Sequence, residues 1–233
     1  MGSPLAHSCH AGRPSSESQE VLDRRVQEGL AFLKRIITGD ECWVHFYDPE
    51  TKQQSSLWKK PEDPTPVKPR TQKSAGKILA IIFFDSVGVI YKHFVPQGQT
   101  INAQYYVEIL GNLRDAVKRK RPELRNGEWL LLHDNAPPHT AGLTQQFLAR
   151  NQIETVPHPP YSPDLAPCDF WLFPQMKKPL RGRHFQGREE LQTAVGEVLR
   201  DLDKDGLLPV FEKWCDRLQK CINIGVHMLK KHK

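Results

Sequence analysis

The sequence contains no run of about eighteen apolar residues, so no segment is predicted to cross a membrane as a helix. Its first residues also lack the apolar stretch of a secretory signal. Cysteine is scarce, with five residues in all and no CxxC pair. Because five is an odd number, we expect free thiols and a reducing compartment rather than a disulfide framework.

The composition is otherwise that of a globular protein with an excess of positive charge. The 233 residues are 38% hydrophobic and 26% charged, and the length suits one substantial domain or two small ones. Lys and Arg (33) outnumber Asp and Glu (27), which gives a net charge of +6 and a pI near 9.1. This balance fits a polyanionic partner, most commonly nucleic acid.

Several of the cations lie in short clusters that are candidate phosphate contacts to double-stranded DNA. The clustered residues of interest are Lys118, Arg119, Lys120, Arg121, Arg181 and Arg183. Cations also complement the dipole at the C-terminal end of a helix. DNA contacts and solvated helix ends therefore both remain open interpretations of these clusters.

The N-terminal part divides into a leader, a helix, a strand and a long loop. Residues 1–18 are rich in Ser, Gly, Pro and His without periodicity, which predicts a disordered leader. Apolar spacing predicts a helix over 20–37, and alternation predicts a strand over 38–50. Residues 59–76 hold four prolines and several cations, and a loop of this length is usually functional or disordered.

The remaining pattern alternates strands and helices. A hairpin is predicted from 77–84 and 89–95, followed by a helix over 100–121 and a buried strand over 129–135. A helix over 140–151 and a short strand from 154 come next. Two helices with apolar stripes, at 191–202 and 211–229, complete the pattern. This order favours an α/β fold, a mixed sheet with helices on its faces.

Three aspartates lie where such a fold places chemistry. Asp40 begins the first strand, Asp134 ends the apolar strand, and Asp169 lies in a loop that enters a helix. Converging carboxylates repel each other and therefore favour a hard cation such as Mg²⁺ or Mn²⁺. Two such ions about 4 Å apart would activate a water molecule and stabilise the leaving oxygen of a phosphodiester. On propensity alone, the favoured interpretation of Asp134 and Asn135 is that they are turn residues that close a strand.

Other polar residues near these aspartates are interpreted as structural. Glu41 follows Asp40 on the strand and His133 precedes Asp134, so both should point to the opposite face. His133 and His139 lack a Cys or His pair at zinc-finger spacing, which disfavours zinc. Asp164 follows Ser-Pro and fits the start of a helix.

Four stretches together resemble the catalytic domain of mariner-family (mariner/Tc1) DNA transposases: TGDE with WVHFYDPE, HDNAPPHT, and PHPPYSPDLAPCDFWLFP. Asp134 and Asp169 have 34 residues between them, which is the spacing of the family's Asp-Asp-34-Asp triad. The resemblance extends from about residue 37 to the C-terminus and includes SSLWK and FVPQGQT.

The resemblance implies an RNase H-like fold over 19–233, a mixed five-stranded sheet flanked by helices. By motif matching, Asp40, Asp134 and Asp169 would hold two divalent ions, Mg²⁺ or Mn²⁺. The domain would cut DNA at transposon ends and join the freed 3′ hydroxyl to a target. The loop at 59–76 matches the position of a family loop that reaches the other subunit of the DNA-bound homodimer. A nuclear location follows from this activity.

The chain departs from the family before its first strand. Mariner transposases begin with two helix-turn-helix modules that read the transposon ends, and only about 36 residues precede the Asp40 strand. The expectation is therefore a truncated domain that keeps its chemistry without sequence-specific recognition. One alternative is a non-catalytic DNA-binding or assembly module. A free-standing RNase H-like nuclease is another, which the YSPDLAPCDF segment and the 34-residue spacing disfavour.

Overall fold

A mixed sheet organises the chain, for which a computed structural model describes residues 16–51, 54–55, 72–125, 128–204 and 206–224. Within these ranges the sheet has five strands in the order β3-β2-β1-β4-β5. The pairs β1–β2 and β2–β3 are antiparallel, whereas β1–β4 and β4–β5 are parallel. The strands are β1 (Ile36–His45), β2 (Lys77–Phe84), β3 (Val89–Val95), β4 (Leu130–Leu132) and β5 (Glu154–Thr155).

Helices cover both faces of the sheet. They are α1 (Ser16–Glu28), α2 (Leu30–Lys34), α3 (Ala103–Lys120), α4 (Pro137–Thr140), α5 (Gly142–Arg150), α6 (Phe173–Lys177), α7 (Arg188–Leu202) and α8 (Leu208–Ile224). The buried residues of α3 and α5 belong to one core, and those of α1, α2, α6, α7 and α8 belong to the other. Among the helices that the structure describes, none combines the length and apolarity needed to span a bilayer.

The central strands are buried on both sides because they supply side chains to both cores. In β4, Leu130 and Leu132 pack into the α7–α8 core, while Leu131 packs into the α3 core. This explains why the β4 sequence is a continuous apolar run rather than an alternating one. The expected mixed sheet with flanking helices is confirmed.

The predicted hairpin at 77–84 and 89–95 is confirmed, but the predicted helix at 20–37 is wrong at its end. Gly29 adopts a positive φ of 65°, which separates α1 from α2. Ile36 and Ile37 then enter β1, where they pair with Leu130 and Leu131 of β4. Two adjacent isoleucines fit a strand that is buried on both faces better than one stripe of a helix.

The boundary of the predicted leader also needs correction. Residues 16–18 belong to α1 rather than to a leader, and Ser18 is fully buried with Val21 one turn later. The helix packs against α8, which explains why its polar first turn is ordered. Residues 1–15 of the predicted leader lie outside the described residues.

The predicted long loop is described only at its end. Residues 59–71 lie outside the described ranges, whereas residues 72–76 lead into β2. Ser74 donates its backbone N–H to the Tyr47 carbonyl at 2.9 Å, and its Oγ accepts the Tyr47 N–H at 3.0 Å. Ser74 and Tyr47 therefore join the two sides of this segment beyond the end of β1.

Candidate active site

Parallel pairing of β1 and β4 brings two of the predicted aspartates side by side. Thr38 of β1 pairs with Leu132 of β4. Asp40 and Asp134 each follow two residues later in their strands' direction. Because paired parallel strands advance together, both carboxylates reach the same level of the sheet.

Asp169 comes from a different kind of element. It lies in a short π-helical turn, Cys168–Leu172, that continues into α6. Its backbone N–H donates to the Ala166 carbonyl at 3.0 Å, and the flanking Cys168 and Leu172 are buried in the core. Burial of these two neighbours fixes the turn, and π-helical turns are frequent at functional sites.

One cavity of about 420 Å³ collects all three aspartates. Its walls come from β1, the end of β4 and the segment from His158 to Asp169. The lining residues include Asp40, Asp134, Asp169, Asn135, His158, Tyr161 and Ser162. The structure thus brings together the three residues that the sequence singled out.

Acidic side chains are concentrated in this cavity, and burial and mutual repulsion disfavour the ionised form of two of them. Burial, followed by repulsion from Glu41, Asp169 and Asp134, raises the pKa of Asp40 to about 8. Burial, followed by repulsion from Asp134, also raises the pKa of Asp169, although nearby Lys177 opposes this effect. Carboxylates that repel one another in this way are stabilised in their ionised form by a cation that binds between them.

The donor set fits a hard divalent cation. Across the described ranges, no three His, Cys, Asp or Glu side chains already converge closely enough to form a finished metal site. The three aspartates instead surround the cavity and offer oxygen donors, which Mg²⁺ and Mn²⁺ prefer over the nitrogen and sulfur donors that zinc favours.

Asp134 is held by two donors. Its Oδ1 accepts the Ala136 backbone N–H at 3.0 Å and His139 Nδ1–H at 2.6 Å. The bond from His139, together with the Ala136 N–H, lowers the pKa of Asp134 despite its partial burial. Asp134 therefore closes the turn after β4, as its propensity indicated, and also lines the cavity.

The sequence did not reveal that His139 contacts the proposed site through Asp134. Burial lowers the pKa of His139, but its contacts with Asp134 and Glu41 outweigh burial and raise the pKa to about 9. Its Nε2 lies 3.4 Å from Glu41 Oε1. Glu41 does occupy the face of β1 opposite Asp40, yet through His139 it is connected to the aspartate cluster.

Tyr106 and His133 complete the surroundings of His139. The Tyr106 ring centroid lies 4.1 Å and the His133 centroid 4.9 Å from that of His139. Burial and the neighbouring His139 lower the pKa of His133 to about 3, so His133 is neutral at physiological pH. This polar cluster lies on the α3 side of the sheet.

Tyr161 is a second feature that sequence reasoning missed. It lines the cavity, is 92% exposed and adopts a positive φ of 54°. A tyrosine in this region of backbone space is strained, and such strain persists where the surrounding structure imposes it. Only the flanking prolines of HPPYSP hinted at an unusual backbone.

The predicted DNA-contacting cations lie away from the cavity, whose lining includes none of the six as far as the described residues go. Lys118 and Arg119 are exposed at the end of α3, and Lys120 donates to the Val89 carbonyl at 3.1 Å. Arg121 instead forms an ion pair with buried Asp85 at 2.6 Å, so a phosphate contact would have to compete with this bond.

The second basic pair is found near the end of β1. Arg181 approaches Asp48 at 3.8 Å, and the Arg183 guanidinium lies 5.0 Å from the centroid of the Phe185 ring. Both contacts leave the arginines partly or fully exposed. Phosphate binding by these two residues and by Lys118 and Arg119 stays a prediction.

Comparison with known proteins supports the same interpretation. Residues 48–126 match the family described as Transposase (partial DDE domain). The chain is 35% identical over 205 residues to the Mariner Mos1 transposase of Drosophila mauritiana, covering 87% of this chain. It spans 58% of the length of that relative.

Solved Mos1 structures resemble this chain throughout. A Mos1 paired-end complex with Mn has a TM-score of 0.83 at 32% identity, covering 97% of this chain and 66% of that one. The Mos1 paired-end complex with Mg has a TM-score of 0.84 at 31% identity, and the match covers 99% of this chain and 67% of that one. The Mos1 catalytic domain, solved by itself, has a TM-score of 0.76 at 30% identity, and the match covers 95% of this chain and 97% of that one. The sheet is therefore of the RNase H-like type, and the chain belongs to the mariner transposase family, whose catalytic domain it matches almost from end to end.

Proposed function

We propose that this chain performs divalent-metal-dependent cleavage and joining of DNA strands, with Asp40, Asp134 and Asp169 as the metal ligands. The observation that carries the proposal is the convergence of three aspartates on one cavity. They come from β1, from the turn that follows the adjacent parallel strand β4, and from a separate helical turn. Asp134 also closes the turn after β4, but its repulsion with Asp40 and Asp169 across the cavity costs stability unless a cation offsets it.

Each part of the site has a distinct task. Backbone pairing of β1 with β4, just before Asp40 and Asp134, brings these two residues to the same edge of the sheet, while the turn at Cys168–Leu172, anchored by its two buried end residues, presents Asp169 to the same cavity. The side-chain amide of Asn135 donates to the His158 carbonyl at 2.9 Å and so ties two walls of the cavity together. Two Mg²⁺ or Mn²⁺ ions bound there would activate a water or a 3′ hydroxyl and stabilise the leaving oxygen.

The partner implied by this chemistry is double-stranded DNA, bound in a homodimer that pairs two DNA ends in the nucleus. The positive net charge supports a polyanionic substrate. The solved Mos1 relatives are paired-end complexes, which supports the same assembly here. Recognition of particular transposon ends is not part of the proposal, because the proposed site supplies only the chemistry.

The decisive substitution is Asp134→Asn, which removes one charge while preserving size and the ability to accept from His139. We expect Mg²⁺- and Mn²⁺-dependent nicking of supercoiled plasmid to fall by about two orders of magnitude or more. The matched control is Asp115→Asn, an exposed acid on α3 that should leave nicking unchanged. Cleavage by purified Asp134→Asn at the wild-type rate would remove Asp134 from the site.

The same assay separates the enzyme from a non-catalytic assembly module. An enzyme nicks plasmid only when metal is present, and loses this activity in the Asp134→Asn variant. A non-catalytic module retards DNA in gels without nicking it at any metal concentration. That second result, obtained with folded wild-type protein, would overturn the proposed activity.

A further inference from the structure

A chain of contacts with a buried histidine at its centre lies behind the Asp134 carboxylate. It begins at Glu41 on β1, passes through His139 on α4 and ends at Asp134 after β4. His139 is 2% exposed and is not among the described residues that line the cavity. It therefore touches the proposed metal ligand from outside the space where cations and DNA would bind.

The contacts on Asp134 are asymmetric. His139 Nδ1–H and the Ala136 backbone N–H both donate to Oδ1. Two donors from different directions fix the plane of the carboxylate, because rotation about its terminal bond would break both. Both contacts are made by Oδ1, so neither of them occupies the second oxygen, Oδ2.

His139 is itself held on several sides. Tyr106 packs against its ring at 4.1 Å between centroids, and His133 stacks on it at 4.9 Å with an interplanar angle of 16°. Glu41 Oε1 lies 3.4 Å from Nε2, within ion-pair distance, and this buried oxygen has no hydrogen-bond partner among the described residues. A ring orientation that keeps Nε2–H beside this otherwise unpaired carboxylate oxygen is therefore favoured.

We propose that His139 is a positioning residue, which orients the Asp134 carboxylate for metal binding and is itself oriented by Glu41. This inference rests on the proposed function, since it assigns Asp134 as a ligand. In metal sites, groups that hydrogen-bond a ligand commonly change metal affinity about 10- to 100-fold when they are replaced.

Two substitutions that each retain one of the two ring-nitrogen positions separate orientation from packing. In His139→Asn, the side-chain amide nitrogen occupies the position of Nδ1, which keeps a donor for Asp134. In His139→Gln, the amide lies near the position of Nε2, which keeps the contact with Glu41 and loses the donor to Asp134. Both variants lose the imidazole ring and its stacking, and Asn is the smaller residue, so a packing role would impair His139→Asn at least as much as His139→Gln.

The measurement is Mn²⁺ binding to the full chain without DNA, by calorimetry and by electron paramagnetic resonance of the free ion. We expect His139→Gln to bind Mn²⁺ about tenfold or more weakly than wild type, and His139→Asn to stay within about threefold. Equal weakening of both variants, or wild-type affinity in His139→Gln, would overturn the positioning role. If instead wild type binds no Mn²⁺, or Asp134→Asn binds it as wild type does, the proposed metal site itself fails.

A second measurement covers the case in which His139→Gln does not fold. In wild-type protein with ¹⁵N-labelled histidine, the Nδ1–H of His139 should give a low-field proton signal because it donates to a carboxylate at 2.6 Å. Saturating Mg²⁺ should shift this signal and leave that of His93, on the edge strand β3, unchanged. A His139 signal that ignores Mg²⁺ in a chain that binds Mg²⁺ would also overturn the proposal.

Discussion

Gly39 precedes Asp40 on β1, and the Phe83 ring of β2 occupies the space where a side chain at this position would lie. Gly39→Ala should destabilise the fold by about 1–3 kcal/mol, because the added methyl forces this ring or β1 to move. In the Phe83→Leu background the same change should cost less. Urea unfolding of the four proteins measures the difference, and an equal cost in both backgrounds would contradict the steric explanation.

His93 gives a pH dependence that is independent of the metal site. Burial, then the nearby Arg188, lowers the pKa of His93 below its usual value of about 6.5. The folded state therefore favours neutral His93, and its contribution to stability is present above the unfolded pKa. This contribution is lost as the pH falls below about 6.5, because the unfolded chain then binds the proton more readily.

The test compares wild type with His93→Gln, which removes the titrating group. Between about pH 7.5 and about pH 5.5, wild type should lose more unfolding free energy than His93→Gln. All other histidines are shared and cancel in the comparison. Parallel pH profiles for the two proteins would show that His93 titrates alike in the folded and unfolded chains.

At the level of elements, the segment between β1 and β2 should be dispensable for folding. Its two sides are joined where Ser74 pairs with Tyr47, next to β2, whose register with β1 is set by eight paired positions. Deleting residues 59–71 should leave the circular dichroism spectrum and unfolding midpoint close to those of wild type.

The same deletion should abolish assembly of a paired-end complex on DNA, if this segment reaches the second subunit as the family resemblance implies. Gel retardation and light scattering distinguish one bound DNA end from two. A deleted chain that still pairs two ends would assign assembly to another surface. A deleted chain that fails to fold would place the segment in the core.

Strands and helices whose apolar residues follow one clear period were predictable from the sequence. The boundaries where one element passes into the next were not. The β2–β3 hairpin and α3 have clear patterns, and the structure has them within a few residues of the prediction. Ile36 and Ile37 fit both a helical stripe and a doubly buried strand, so only pairing with β4 decides between these. The position of His139 depends on α4 turning back over Asp134, which tertiary packing against Tyr106 determines.

For the whole molecule, the charge distribution predicts the manner of DNA binding. Binding should rest on phosphate contacts from exposed cations such as Lys118, Arg119 and Arg183, which carry little sequence information. For the 233-residue chain we expect affinity in the micromolar range or weaker at physiological salt. The logarithm of the affinity should fall linearly with that of salt, with a slope of about −0.9 per phosphate neutralised.

Competitive titration of a mariner terminal repeat against scrambled duplex, at two salt concentrations, measures both properties. Replacing Lys118 and Arg119 with Gln should reduce the salt slope without changing the ratio between the two DNAs. A preference of about a hundredfold or more for the repeat would reveal base readout by this chain.

The parallel pairing of β1 with β4 also determines when the cavity can form during synthesis. Thr38 and Leu132 are far apart in the chain, and closing such a distant contact is entropically costlier and slower than forming the β2–β3 hairpin. The core beneath Asp169 further requires side chains from α7 and α8, which are synthesised after Asp169. The three acids can therefore take their places around the cavity only after β4, α7 and α8 have all been made, so the proposed metal site forms late in folding.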